Sequence, residues 1–226
     1  MKSKIKILFS ILIVLSLFST NSFAAERNND DKWFKIALDG MVGVGFEEYD
    51  FGKDAHNDDI EFYGGGGGVG GQLTLGLCLL DRLDLDISAG YQKYNDELEH
   101  HYDISFRRFI YQATLKYELA RFDSSNIKIG IGAGIYGEPR LNKIIEGNQQ
   151  YIEYDDAVGY HAVVEYEILF EDNWAVTFGL KGYTVEYEAE KYTQNSTQTS
   201  LSSLDSKLRD FNGDGIDLLV GVVRYF

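Results

Sequence analysis

The stretch IDLLVGVVRYF, residues 216–226, decides the fold. It alternates with a period of two. Ile216, Leu218, Val220, Val222 and Phe226 share one face, and Asp217, Leu219, Gly221, Val223 and Tyr225 the other. Its β-branched content is that of a strand. A final strand with a free edge would offer unpaired backbone groups to other chains. Pairing with the first strand removes that edge and closes a barrel.

Seven earlier segments alternate in the same way, at about 33–46, 72–79, 83–91, 108–118, 127–136, 158–168 and 174–183. The clearest sets Leu83, Leu85, Ile87, Ala89 and Tyr91 against Asp84, Asp86, Ser88, Gly90 and Gln92. The connections alternate too. Those near 81–82, 120–125 and 171–173 are short, whereas those at 47–60, 95–103, 138–156 and 188–215 are long and polar. Short turns on one rim and long loops on the other are the habit of transmembrane barrels. The sequence therefore predicts an all-β fold, an eight-stranded antiparallel up-and-down transmembrane β-barrel with mobile, acidic outer loops.

Alternation by itself does not say which face looks inward, since a soluble lipocalin-like barrel has the same period. Glycine breaks the tie. Gly43, Gly76, Gly90, Gly130, Gly132 and Gly134 all lie on the polar face, where a water-facing surface has no use for them. The crowded interior of an eight-stranded barrel does need small residues. Aromatics point the same way. Trp33, Phe34, Tyr117, Tyr166, Phe170, Trp174 and Phe226 fall near the short-turn rim. Phe46, Phe62, Tyr91, Phe106, Phe109, Tyr183 and Tyr187 fall toward the other, giving two expected interfacial girdles.

Composition agrees: Tyr 16, Phe 14, Gly 24 and a single Pro suit a chain that is mostly sheet ladder. Lys2, Lys4 and Lys6, the apolar run 7–17 and Ser22-Phe23-Ala24 read as a signal peptide spanning residues 1–24, removed to leave a barrel domain at 25–226. Its removal takes the net charge from −15 to −18. That excludes nucleic acid, whose phosphates need clustered Lys and Arg. One cysteine, Cys78, excludes an intramolecular disulfide.

The whole of 25–226 resembles the small eight-stranded bacterial outer-membrane barrels of the OmpX/Ail and OmpA-transmembrane-domain kind. The segment GGVGGQLTLGLCLLDRLDLDISAGY (67–91) looks like their second hairpin, and the terminal Phe226 like their closing strand. The resemblance implies an outer-membrane location and lipid and lipopolysaccharide as surroundings. It also implies a monomer whose last strand is read by the barrel-assembly machinery. It names no chemistry: such barrels include adhesins, structural anchors, narrow channels and a few lipid-modifying enzymes. The expected function is a non-enzymatic surface role, with a narrow solute channel or a lipid-modifying enzyme as alternatives.

Two constellations stand out. The first is the set of inward charges Lys35, Asp39, Asp84, Asp86, Arg108, Lys116, Glu118, Lys128, Glu165, Glu167, Lys181 and Asp217, with His161 among them. Unpaired charges in so tight a space would be very costly, so these are expected to form a plug of ion pairs. Asp84 and Asp86 would meet Lys116, and Lys128 would meet Glu118 or Glu165. A catalytic reading would have Glu165 polarise His161. The second is Asp210, Asn212 and Asp214 before Gly215, the first half of a calcium loop. Its twelfth position is Gly221, which has no ligand, so the alternatives are a turn entering the last strand or a calcium site. His56, and His100-His101, sit among acids in outer loops and read as solvated. The glycine run at 64–68 lacks the Lys-Ser/Thr and helix of a phosphate loop. It reads as strand backbone packed against a bulky neighbour such as Tyr136.

Overall fold

The computed structural model describes residues 33–53, 59–63, 65–96, 102–145, 147–170 and 173–226. The expected signal peptide at 1–24 and His56, His100 and His101 lie outside the described residues. In chain order the elements are β1 (Phe34–Gly45), β2 (Tyr49–Lys53), β3 (Asp59–Phe62), β4 (Gly68–Leu80) and β5 (Leu83–Asp96). Then come β6 (Tyr102–Arg121), β7 (Ser125–Ile145), β8 (Asn148–Tyr154), β9 (Ala157–Leu169) and β10 (Trp174–Thr184). The last are β11 (Glu186–Gln194), β12 (Thr197–Thr199), the one-turn helix α1 (Ser206–Arg209), β13 (Asp210–Asn212) and β14 (Gly215–Tyr225).

Eight of these strands form a closed antiparallel ring, β1-β4-β5-β6-β7-β9-β10-β14 and back to β1. The seam runs from Lys35↔Tyr225 to Gly45↔Gly215, and the Phe226 amide donates to the Phe34 carbonyl at 2.8 Å. The closing pair was legible because its two strands carry matching alternation. Leu38 faces outward opposite Val222, and Asp39 inward opposite Gly221.

Outward residues of this ring are Leu, Ile, Val and aromatics, and they are exposed: Ile131 is 70% accessible and Leu180 51%. Soluble monomers rarely expose an apolar belt of this extent, and large exposed apolar surfaces mark membrane or protein contact. Trp33, Tyr117, Tyr166, Phe170, Trp174 and Phe226 ring its short-turn rim. Arg224 lies flat in that ring, 5.2 Å from the Trp174 centroid and 5.3 Å from that of Phe226. At the other rim Phe46, Tyr91 and Phe109 face out, but Phe62, Phe106, Tyr183 and Tyr187 do not. These four are buried, which corrects the second expected girdle to a smaller one.

The expectation of open polar loops is also corrected. β6 has 20 residues and β7 has 21, about twice the 9–11 that cross hydrocarbon. The surplus continues as sheet: β8 folds back on β7, β11 pairs with β8, and β13 and β12 pair with β11. Beneath it lies a second core. Phe211 is its hub, with ring centroids of Tyr49 at 4.7 Å, Tyr154 at 5.2 Å, Phe106 at 5.3 Å and Tyr187 at 6.2 Å. Ile104, Leu141 and Ile152 complete the packing. The polar look of 138–156 hid this because inward Leu141, Ile152 and Tyr154 alternate with outward polar residues.

Candidate functional site

The barrel interior is built by the inward half of each alternation. At the short-turn end β5 points Asp84 and Asp86 inward, β1 supplies Lys35, β6 Lys116, β7 Lys128, and β9 both Glu165 and Glu167. They join in one chain of alternating sign: Glu165–Lys116 2.6 Å, Lys116–Asp86 3.0 Å, Asp86–Lys35 3.0 Å, Lys35–Asp84 2.8 Å, Asp84–Lys128 3.0 Å and Lys128–Glu167 2.7 Å. Tyr225 of β14 ends it, donating its hydroxyl to Glu167 and accepting from Lys128 at 3.1 Å. Four of the six links cross the lumen between strands that are not neighbours, and two, Lys116–Asp86 and Lys128–Glu167, join adjacent strands. Each lysine thus holds two carboxylates, so the desolvation of its charge is offset on two sides.

Several pairings differ from those read in the sequence. Asp86 meets Lys116, whereas Asp84 meets Lys35 and Lys128. Glu118 bonds Arg121 at 2.5 Å on the rim, where Arg121 also holds Asp81 at 3.0 Å, so Glu118 is not the partner of Lys128. Glu165 is taken by Lys116, and His161 Nε2 bonds the Thr114 hydroxyl at 2.8 Å. Four residues apart on β9, His161 and Glu165 are separated by about 13 Å of strand, so the polarised pair does not form.

Above this chain the filling is held mostly by hydrogen bonds. Asp39 accepts from Gln72 at 3.1 Å and from Thr177 at 3.4 Å, and Gln72 in turn accepts from Gln112 at 3.1 Å. Gly132 has to be glycine here: a Cβ would lie 2.1 Å from the Ala113 carbonyl and 2.5 Å from His161 Nε2. Next comes Lys181 with Asp217 at 3.3 Å, and Gln92 donating to Asp217 at 2.8 Å.

The last layer is Arg108, which is 1% exposed and has, among the described residues, no carboxylate in ion-pair contact. Its guanidinium donates to Gln92 at 2.7 and 3.2 Å, to Tyr183 at 2.7 Å and to Tyr187 at 3.0 Å. It lies between the rings of Tyr136 and Tyr183, at 5.0 and 4.9 Å. It reaches the carbonyls of Gly65, Gly66 and Gly213 at 3.4 Å, tying the turns that enter β4 and β14 to the barrel wall. A Cβ on Gly66 would fall 1.8 Å from the Asp214 carbonyl oxygen, so only glycine lets these turns meet. The bulky neighbours of this run are thus Phe211 and Arg108; Tyr136 packs on Gly159 instead. Outside the membrane wall, burial pushes the phenols of Tyr49, Tyr154 and Tyr187 above the ordinary tyrosine range, and they stay neutral.

Of the residues that match the first half of a calcium loop, Asn212 and Asp214 cap turns. Asp214 accepts the Val185 amide at 2.8 Å, Asn212 accepts the Asp214 amide at 2.7 Å, and Asp210 faces Arg209 at 3.7 Å. Among the described residues no group of three or more His, Cys, Asp or Glu side chains comes together to hold a metal. The sequence reading missed Gln92, Tyr183 and Tyr187 as partners of Arg108. The signal was present: each has the inward parity of its own strand.

No family model matches the sequence, and no curated protein does. Solved structures match the architecture. Neisserial surface protein A (NspA) superposes with a TM-score of 0.50 at 11% identity, over 85% of this chain and 97% of that one. A major outer membrane protein from Thermus thermophilus also gives 0.50, at 12% identity over 85% and 99%. This chain has the fold of the small bacterial outer-membrane barrels. For such a barrel, closure of the ring pairs every backbone group within the wall, and the apolar exterior is the face that meets lipid.

Proposed function

We propose that this outer-membrane barrel is a non-enzymatic surface protein, sealed to solutes. Its long-connection side stands outside the cell as a stiff, acidic platform for structural or binding contacts. The observation that supports the reading is the packing of side chains across both ends of the lumen. A seven-membered chain of ion pairs obstructs the short-turn end, and Arg108 with the Phe211 core obstructs the other. Each carboxylate and lysine of the chain is engaged by its neighbours, which leaves no free acid–base pair facing a substrate. The platform is sheet over a packed core, so a partner would meet it with little ordering entropy to lose.

Planar-bilayer recording of the folded, purified protein tests this. The expected result is no single-channel steps under conditions where an open porin conducts. Steady steps from the wild-type protein would overturn the sealed reading in favour of a narrow channel.

A further inference from the structure

One row of side chains runs against the charge of the rest of the molecule. On the outer face of the wall, Lys93 of β5 stands directly opposite Arg107 of β6, and Arg107 directly opposite Arg140 of β7. Like charges in facing register destabilise a sheet, and this chain carries a net charge of −15. Among the described residues, Lys93 and Arg107 have no carboxylate within ion-pair distance. Arg140 is hydrogen-bonded to the exposed Glu138 at 3.4 Å and lies 4.0 Å from Glu153, which Lys191 holds at 2.8 Å.

The alignment depends on a local irregularity. The β6–β7 register slips by one between Arg107 and Phe109, where Glu138 takes a positive φ of 47° beside Pro139. Below the slip Ile135 faces out and Tyr136 in; above it Arg140 faces out and Leu141 in. A bulge of this kind re-aims side chains. Without it Pro139 would oppose Arg107, and Arg140 would face the core.

Height matters as much as charge. Two residues below Lys93 and Arg107 are Tyr91 and Phe109, outward rings 5.2 Å apart at the upper edge of the apolar belt. Two residues above Arg107 and Arg140 are Ser105 and Asn142, which with Gln149 and Tyr151 and the cations line a hollow of about 340 Å³. One pleat repeat is roughly 7 Å. So within some 14 Å the wall passes from acyl-chain surface, through three cations, to hydroxyl and amide groups.

We propose that this strip binds a phosphorylated glycolipid of the surrounding leaflet. Its acyl chains lie on Tyr91 and Phe109, a phosphate sits on Lys93, Arg107 and Arg140, and its sugar hydroxyls meet Ser105, Asn142 and Tyr151. An amphiphile fits better than a soluble polyanion because the cations border hydrocarbon and the surrounding acidic surface repels free anions. The site rests on the proposed orientation of the barrel and adds a ligand to it.

Native mass spectrometry of the detergent-solubilised barrel tests it, with bis-phosphorylated lipid A as probe and heat-modifiable gel migration as the fold check. Wild type should retain lipid A and release it as salt rises. Replacing Lys93→Gln, Arg107→Gln and Arg140→Gln together should weaken retention by roughly two orders of magnitude, about fivefold per cation near a lipid surface. The gel shift should be unchanged. Arg107→Glu alone, at an exposed position, should weaken it more than Lys93→Gln alone. Equal retention by wild type and these variants overturns the site while leaving the barrel reading intact. So does equal retention of lipid A stripped of its phosphates. Equal binding of a sulfated oligosaccharide without acyl chains overturns it too, in favour of a soluble polyanion. A wild-type protein with no heat-modifiable form sinks the membrane-barrel reading and the site with it.

Discussion

The two ends of the lumen are filled by opposite means. At the short-turn end the filling is electrostatic: four carboxylates and three lysines, each lysine held between two carboxylates. At the far end it is aromatic, with Phe211 at the centre of a packed cluster and a lone guanidinium below it held by phenols, an amide and carbonyls. The reason lies in the walls. The lower filling is enclosed by a wall whose outer face is apolar, so the only polar partners available to inward groups are other inward groups. The upper sheet has its polar face toward solvent, which lets its inner face be apolar like that of an ordinary soluble sheet. One chain thus runs outside-apolar and then outside-polar along the same strands.

Substitutions at the two ends should separate these regimes. The largest effect is expected from Phe211→Ala, about 3–5 kcal/mol as for other large-to-small core changes. It should appear as proteolytic nicking of the upper sheet while the barrel still migrates as a heat-modifiable form. If the upper sheet stays as protected as in wild type, it is not held by a hydrophobic core. Lys116→Met comes next. It leaves Glu165 buried without its lysine and should cost about 3 kcal/mol in barrel unfolding by urea. Adding Glu165→Leu should recover most of that loss, since an apolar pair removes the stranded charge. A double variant no better than the single would show that these ions are not coupled. The smallest effect is expected from Arg121→Ala. Its pairs with Glu118 and Asp81 sit on a half-exposed rim, and their loss should cost less than about 1 kcal/mol in the same titration. A cost equal to that of Lys116→Met would erase the distinction between lumen and rim.

The barrel was readable in the sequence because parity is a strict code. Leu83 to Tyr91 states both faces of β5 without ambiguity, and the structure keeps that assignment. The upper core escaped for two reasons. In β11 the inward Tyr187 and Ala189 alternate with Glu186, Glu188 and Glu190, a period-two signal masked by acidity. In β7 the slip at Glu138 breaks the count, so a strand continuing past it reads as a loop. Partner choice among the lumen charges was harder still. Asp84 and Lys116 are register partners, yet Lys116 leans to Asp86 and across the lumen to Glu165. Long side chains choose by reach across a closed ring, and a linear sequence does not encode distances across it. Even Arg107, Lys93 and Arg140 gave no sign of alignment until the register was known.

The slip at Glu138 has a wider meaning. It acts as a phase change along one continuous strand: before it the chain is written for hydrocarbon outside, after it for water outside. Running the ladder straight on without that slip would exchange the two scripts above the rim, turning Leu141 to the solvent and Arg140 into the aromatic cluster. Because the change is local, everything beyond it is free to be redrafted without altering a residue that touches the bilayer.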